Sequence, residues 1–179
     1  MSVSVFVGIS VDGFMARPDG SFDFLPENAE PHGYEEFMAG IDALVIGRNT
    51  FEVVLAFETW PYGDKRVVVL SSGPLDFSGV KGGRVEAMSG APAEIVAQLA
   101  ASGAHHLYVD GGDTIQRFLR AGLVDRLIVT RVPVLIGQGI ALFGALPHDV
   151  LLRHVATRSF DSGLVQSEYE VSGPGAPAI

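Results

Sequence analysis

The stretch "LYVDGGDTIQRFLRAG", residues 107–122, joins an apolar run to an amphipathic one through an acid, two glycines and a second acid. Residues 106–109 read as a strand, and 115–121 as a helix closed by Gly122. Gly111 and Gly112 permit backbone angles and a closeness of approach that a Cβ forbids. Asp113, with Gln116 three residues on, reads as a helix N-cap and its capping-box partner. A strand, a double glycine and a helix start together cradle phosphate, because unpaired N–H groups and the positive end of the helix dipole face the anion. Double glycines also mark ordinary turns, so the choice depends on the rest of the chain.

Working outward, the same alternation recurs. Residues 3–9 form a near-continuous β-branched and aromatic run, the pattern of a strand buried on both faces. A short helix is expected over 34–38, then a buried strand over 43–48, "ALVIGR", with Asn49 and Glu52 marking the next helix start. Strands follow at 67–70 and 84–87, and Pro92 opens an amphipathic helix over 93–101. A further strand covers 127–132, where Pro133 makes the continuation an edge or a departure from the sheet. Residues 150–160 and 164–171 alternate as a hairpin turning near 161–163. This order predicts an α/β domain with a mainly parallel mixed sheet and a C-terminal antiparallel hairpin. A single domain is expected over 1–172, with a loose tail over 173–179.

Composition narrows the function. The 179 residues are 47% apolar and 18% charged, enough to fill one core. A net charge of −9 offers no general footprint for nucleic acid or an anionic membrane. There is no cysteine, which excludes disulfides, thiolate nucleophiles and Cys-based zinc sites. With no signal-peptide pattern and no apolar run long enough to span a bilayer, a cytoplasmic location is the expectation.

Three strand ends carry polar chemistry: "IGRNT" (46–50), "LSS" (70–72) and "DGGDT" (110–114). In a parallel sheet these ends share one side, and ligands bind in the crevice outside them. A guanidinium from Arg48, hydroxyls from Ser71 and Ser72, and the N–H groups of Gly111 and Gly112 suit a phosphorylated nucleotide. Taken singly, Arg48 could be a salt-bridging residue, and the serines and glycines a strand stop and a turn. "IGQGIALFG" (136–144) lacks dinucleotide-fold spacing. His105 and His106 fall on opposite faces of a strand, which suits packing better than joint metal ligation. Asp12 reads as a turn-stabilising acid, and Trp60 as a loop aromatic packed on the core.

The chain resembles the dihydrofolate reductase superfamily, and within it the reductase domain of bacterial riboflavin-biosynthesis proteins, the RibD C-terminal domain. The resemblance rests on "GISVDGFMA" (8–16), "VIGRNTFE" (45–52), "VVVLSS" (67–72) and the long block 107–143. It implies a dihydrofolate-reductase-like three-layer domain with NADPH across the strand ends. By position, Gly8 and Met15 would border the nicotinamide. Gly47, Arg48, Asn49 and Thr50 would meet the adenosine side, with Arg48 near the 2′-phosphate and Ser71–Ser72 beside it. Gly111, Gly112, Asp113, Thr114 and Ile115 would hold the pyrophosphate, and the family's double glycine often carries a cis peptide.

On the substrate side, Asp110 matches the acid that riboflavin-pathway reductases place before the double glycine. The acid of dihydrofolate reductases has no clean match near Gly33–Tyr34, where Glu35 and Glu36 lie just beyond. Phe14 stands where riboflavin-pathway reductases usually carry a basic residue. The resemblance thus implies a reductase similar to those acting on 5-amino-6-(5-phosphoribosylamino)uracil, with the small-molecule substrate open. A catalytically silent NADP-binding protein and a true dihydrofolate reductase are the alternatives. A two-fold homodimer is also expected, from the apolar stretch at 132–136 and from the pairing common among related domains.

Overall fold

The apolar N-terminal run forms β1 (Ser2–Ser10), whose alternating residues serve two cores at once. Val3, Val5, Val7 and Ile9 point to one face of the sheet, and Phe6 points to the other. The computed structural model describes residues 1–26 and 30–172; the tail expected over 173–179 lies outside the described residues.

After β1 the chain forms β2 (Phe14–Ala16), α1 (Tyr34–Ala39), β3 (Ala43–Gly47), α2 (Arg48–Leu55), β4 (Arg66–Leu70) and β5 (Arg84–Met88). It continues as α3 (Pro92–Ala101), β6 (His106–Asp110), α4 (Gly112–Arg120), β7 (Arg126–Val132), β8 (Ile140–Ala141), β9 (Leu152–Ser159) and β10 (Val165–Val171). Eight strands make one sheet in the order β5-β4-β3-β6-β1-β7-β10-β9. The pairs from β5 to β7 are parallel, and the hairpin β9–β10 adds two antiparallel pairings. Helices α3 and α4 pack on one face through Ile95, Leu99, Ile115 and Phe118. Helices α1 and α2 cover the other through Phe37, Phe51 and Val54. The result is the expected three-layer α/β architecture.

Several boundaries and caps differ from the sequence reading. The expected N-cap at Asp113 is instead Gly111, and α4 starts at Gly112 with no side-chain cap. Gln116 turns away and donates its amide to the Ala141 carbonyl at 2.9 Å. Likewise α2 is capped by Gly47, so Asn49 lies inside its first turn and Glu52 faces Arg48 at 3.5 Å. In both cases the residue at the cap is a glycine, Gly47 at the end of β3 and Gly111 between β6 and α4, so no capping side chain is present. The strand β7 is no edge, because β1 and β10 flank it; Pro133 marks only where the chain leaves the sheet. The strands β2 and β8 were not expected, being too short for alternation to register, and they pair with each other antiparallel. Asp12 holds the loop leading to β8, accepting the N–H groups of Ile136 (3.3 Å) and Gly137 (2.7 Å). No helix among the described residues is long and apolar enough to cross a membrane.

Candidate active site

Strands β3 and β6 are parallel neighbours, with Ile46 opposite Asp110, and each passes directly into a helix. The N-termini of α2 and α4 therefore stand side by side at the C-terminal edge of the sheet. The N–H groups of Gly112, Asp113 and Thr114 precede the first intrahelical bond of α4, from Ile115 N–H to the Gly111 carbonyl (2.8 Å). Two aligned helix dipoles and these unpaired donors face a cleft of about 830 Å³. Glycine is required at this junction. Gly111 has φ +92°, and a Cβ there would collide with the Thr50 hydroxyl. At Gly47 a Cβ would lie 2.9 Å from the Thr114 hydroxyl. The cis peptide expected at Gly111–Gly112 is absent: the peptide bonds of the described residues are trans, and the chain turns through Gly111's positive φ.

At one end of the cleft Arg48 is fixed by neighbours rather than free. Its Nε and Nη2 donate to Ser71 Oγ at 3.2 and 2.9 Å, and Nη2 also donates to the Pro74 carbonyl at 2.6 Å. The Nη1 side meets the exposed Glu52 at 3.5 Å. A guanidinium held in this way keeps one edge available to an anion. Arg117, on α4, donates to the Gly90 carbonyl at 3.2 Å and lines the same end.

Asp110 stands at the other end, on the sheet face of α1 and α2. Its Oδ1 accepts the N–H of Gly111 at 2.8 Å. Burial pushes its carboxyl up to about 6, outweighing the Gly111 N–H, which acts the other way. Tyr34, Tyr62 and Tyr108 surround it. Burial, and then the Asp110 charge, raise the Tyr34 hydroxyl to about 12 and hold Tyr62 and Tyr108 above the usual range. Tyr108 donates to the Phe6 carbonyl at 2.8 Å.

A family model described as "RibD C-terminal domain" matches residues 1–166. The chain belongs to the RibD C-terminal domain family. The uncharacterized protein YwjB of Bacillus subtilis (strain 168) is 29% identical over 169 residues, covering 92% of this chain and 95% of its own. A candidate riboflavin biosynthesis protein from Shewanella sp. PV-4 superposes with a TM-score of 0.87 at 34% identity, over 97% of this chain and 100% of that one. Dihydrofolate reductase from Enterococcus faecalis, solved with NADP(H), shares the fold at a TM-score of 0.65 and 18% identity, covering 96% and 97%.

The cleft of this RibD C-terminal domain gathers nearly all the residues the sequence singled out. Gly8, Met15, Gly47, Arg48, Asn49, Thr50, Ser71, Ser72, Asp110, Gly111, Gly112, Asp113 and Thr114 all line it. Ile115 stands apart: its side chain is in the core and its N–H is spent inside α4, so it offers nothing to a ligand. Leu25 lies over Gly8, 3.0 Å from where a Cβ would be. Sequence reading assigned no role to Tyr34, Tyr62 or Arg117: the two tyrosines lie outside the strand-end motifs, and Arg117 reads as one polar residue of an amphipathic helix. Trp60 packs edge-on against Phe51 and Tyr62, outside the cleft lining. His106 hydrogen-bonds Ser4 Oγ at 2.9 Å, a packing role.

The strained junction yields a prediction. Gly111→Ala places a Cβ at a backbone angle nearly reserved for glycine and should cost about 1–3 kcal/mol of stability. For a chain of this size that is a melting temperature lower by roughly 2–12 °C. Thermal unfolding followed by circular dichroism checks it; an unchanged midpoint would show that the loop relaxes freely.

Proposed function

We propose that this RibD C-terminal domain is an NADPH-dependent reductase that passes hydride to a C=N or C=O carbon of a small heterocyclic substrate. The observation that carries the reading is the layout of one cleft: Arg48 at one end, two helix N-termini with their glycine junction, and the partly buried acid Asp110 beside that junction. The residues fit the cofactor, since Gly47 and Gly111 leave room beside free backbone donors where a Cβ would intrude. When bound, the nicotinamide supplies the hydride chemistry, and the protein supplies alignment and exclusion of water. Met15 borders the cleft beside Gly112, where a Cβ would lie 3.6 Å from its sulfur. Arg48 and Ser71 form the polar wall for the adenosine end. Asp110, its carboxyl raised to about 6 by burial, accepts a substrate N–H when ionised or delivers a proton to the reduced heteroatom when protonated.

The partly buried acid favours an active enzyme over a silent nucleotide-binding protein, because withdrawing a carboxyl from water with one backbone donor costs stability. True dihydrofolate reduction is disfavoured, since Glu35 and Glu36 are exposed and do not line the cleft. Steady-state NADPH oxidation across pterins, ribosylaminopyrimidines and carbonyl compounds tests the reading; no turnover with any of them, at saturating cofactor, would favour the silent alternative.

The proposal places the enzyme in the cytoplasm as a two-fold homodimer. Leu135, Phe143, Val155 and Val165 are exposed apolar side chains, and Leu135 keeps 71% of its surface open. Sedimentation at micromolar concentration should return twice the monomer mass of 19.0 kDa. A species of single mass would remove the dimer.

A further inference from the structure

The charges lining the cleft are unevenly placed. Among the described residues its lining cations are Arg48 and Arg117, both at the cofactor end and held by Ser71, Pro74 and Gly90. Among the described residues, the substrate end presents Asp110 and aromatic rings but no lysine or arginine. The remaining residues, 27–29 and 173–179, contain none either. Arg17, on the neighbouring loop, does not line the cleft and pairs with the exposed Asp23 at 2.5 Å, and Lys65, also outside the lining, donates to the Ile41 carbonyl at 2.8 Å. The outer wall continues as Phe22 and Phe57, whose rings meet edge to face at 6.2 Å. A phosphate directed here would lose its hydration beside a carboxylate and apolar rings, with no cation to replace the water.

The polar groups that are present suit a different ligand. Tyr108 spends its hydroxyl on Phe6, whereas the hydroxyls of Tyr34 and Tyr62 hydrogen-bond to no other described residue and belong to cleft-lining side chains. One acid and two phenols, set among aromatic faces, match the edge of a flat ring bearing N–H donors and carbonyl or imine acceptors. Resting on the reading of the cleft as cofactor end and substrate end, we propose that the substrate is an unphosphorylated planar heterocycle. Asp110, Tyr34 and Tyr62 hold its polar edge. Selectivity against a phosphorylated analogue follows from what the site lacks, since a charged group left unpaired in a built pocket is rejected strongly.

The test titrates 5-amino-6-(ribosylamino)uracil, its 5′-phosphate and pterin into the full chain, with and without saturating NADP+, by ligand-observed NMR and calorimetry. An unphosphorylated compound should bind, and the ribosylaminouracil should bind at least tenfold tighter than its phosphate. Tyr62→Phe keeps the ring against Trp60 and should weaken the unphosphorylated ligand about three- to tenfold. Equal or tighter binding of the phosphate overturns the proposal, as does failure of every unphosphorylated heterocycle to bind at millimolar concentration. A protein that binds these heterocycles but no nicotinamide cofactor would retire the reductase reading and leave the substrate assignment standing.

Discussion

Asp110→Asn is expected to lower turnover by roughly 10- to 150-fold, the value of a hydrogen bond to a charged group of about 1.5–3 kcal/mol. NADPH affinity should stay within about threefold, because the residue faces the substrate end. The same variant should be more stable than the parent at high pH. Burial raises the Asp110 carboxyl from 3.8 to about 6 in the folded chain, so folding favours its protonated form. The stability linked to that proton is full below about pH 4 and is lost as pH rises through about 6. At about 1.4 kcal/mol per pKa unit, the penalty at pH 8 is at most about 3 kcal/mol. Asparagine removes the charge while still accepting the Gly111 N–H. Denaturant unfolding at pH 4 and pH 8, beside steady-state kinetics, checks both parts. Stability gained equally at both pH values would separate the effect from ionisation, and a large loss of NADPH binding would reassign Asp110 to holding the loop.

Arg48→Ala should weaken NADPH by roughly 10- to 150-fold and leave NADH nearly unchanged, since a charge-assisted pair to the 2′-phosphate is worth about 1.5–3 kcal/mol. Because Arg48 also ties Ser71 to α2, some stability should be lost with it. Arg48→Lys separates the two roles: it keeps the charge and loses the fork that spans Ser71 and Pro74. The preference for NADPH should also decline with salt, as the guanidinium lies partly open to solvent. Fluorescence titration of both cofactors on both variants measures this. Parallel loss of NADPH and NADH would make Arg48 structural.

The parallel sheet was legible because buried strands such as 43–47 are apolar throughout, and each is followed by a turn or helix signal. The cofactor edge was legible for the same reason: a strand end, a glycine and a helix start occur together in the sequence. What stayed hidden depends on distance in the chain. Tyr34 and Tyr62 approach Asp110 from α1 and from the segment after α2, and no local period announces that. The helix starts misplaced at Asn49 and Asp113 show a different limit. Capping-box spacing occurs at both, yet Gly47 and Gly111 provide the turn, so the side chains are released for other contacts.

Equilibrium titration of the wild-type protein with NADPH and with NADH, followed by nicotinamide fluorescence, addresses the central claim most directly. Saturable binding with a 10- to 150-fold preference for NADPH is the expected result. Absence of binding, or equal affinity for the two cofactors, would contradict it.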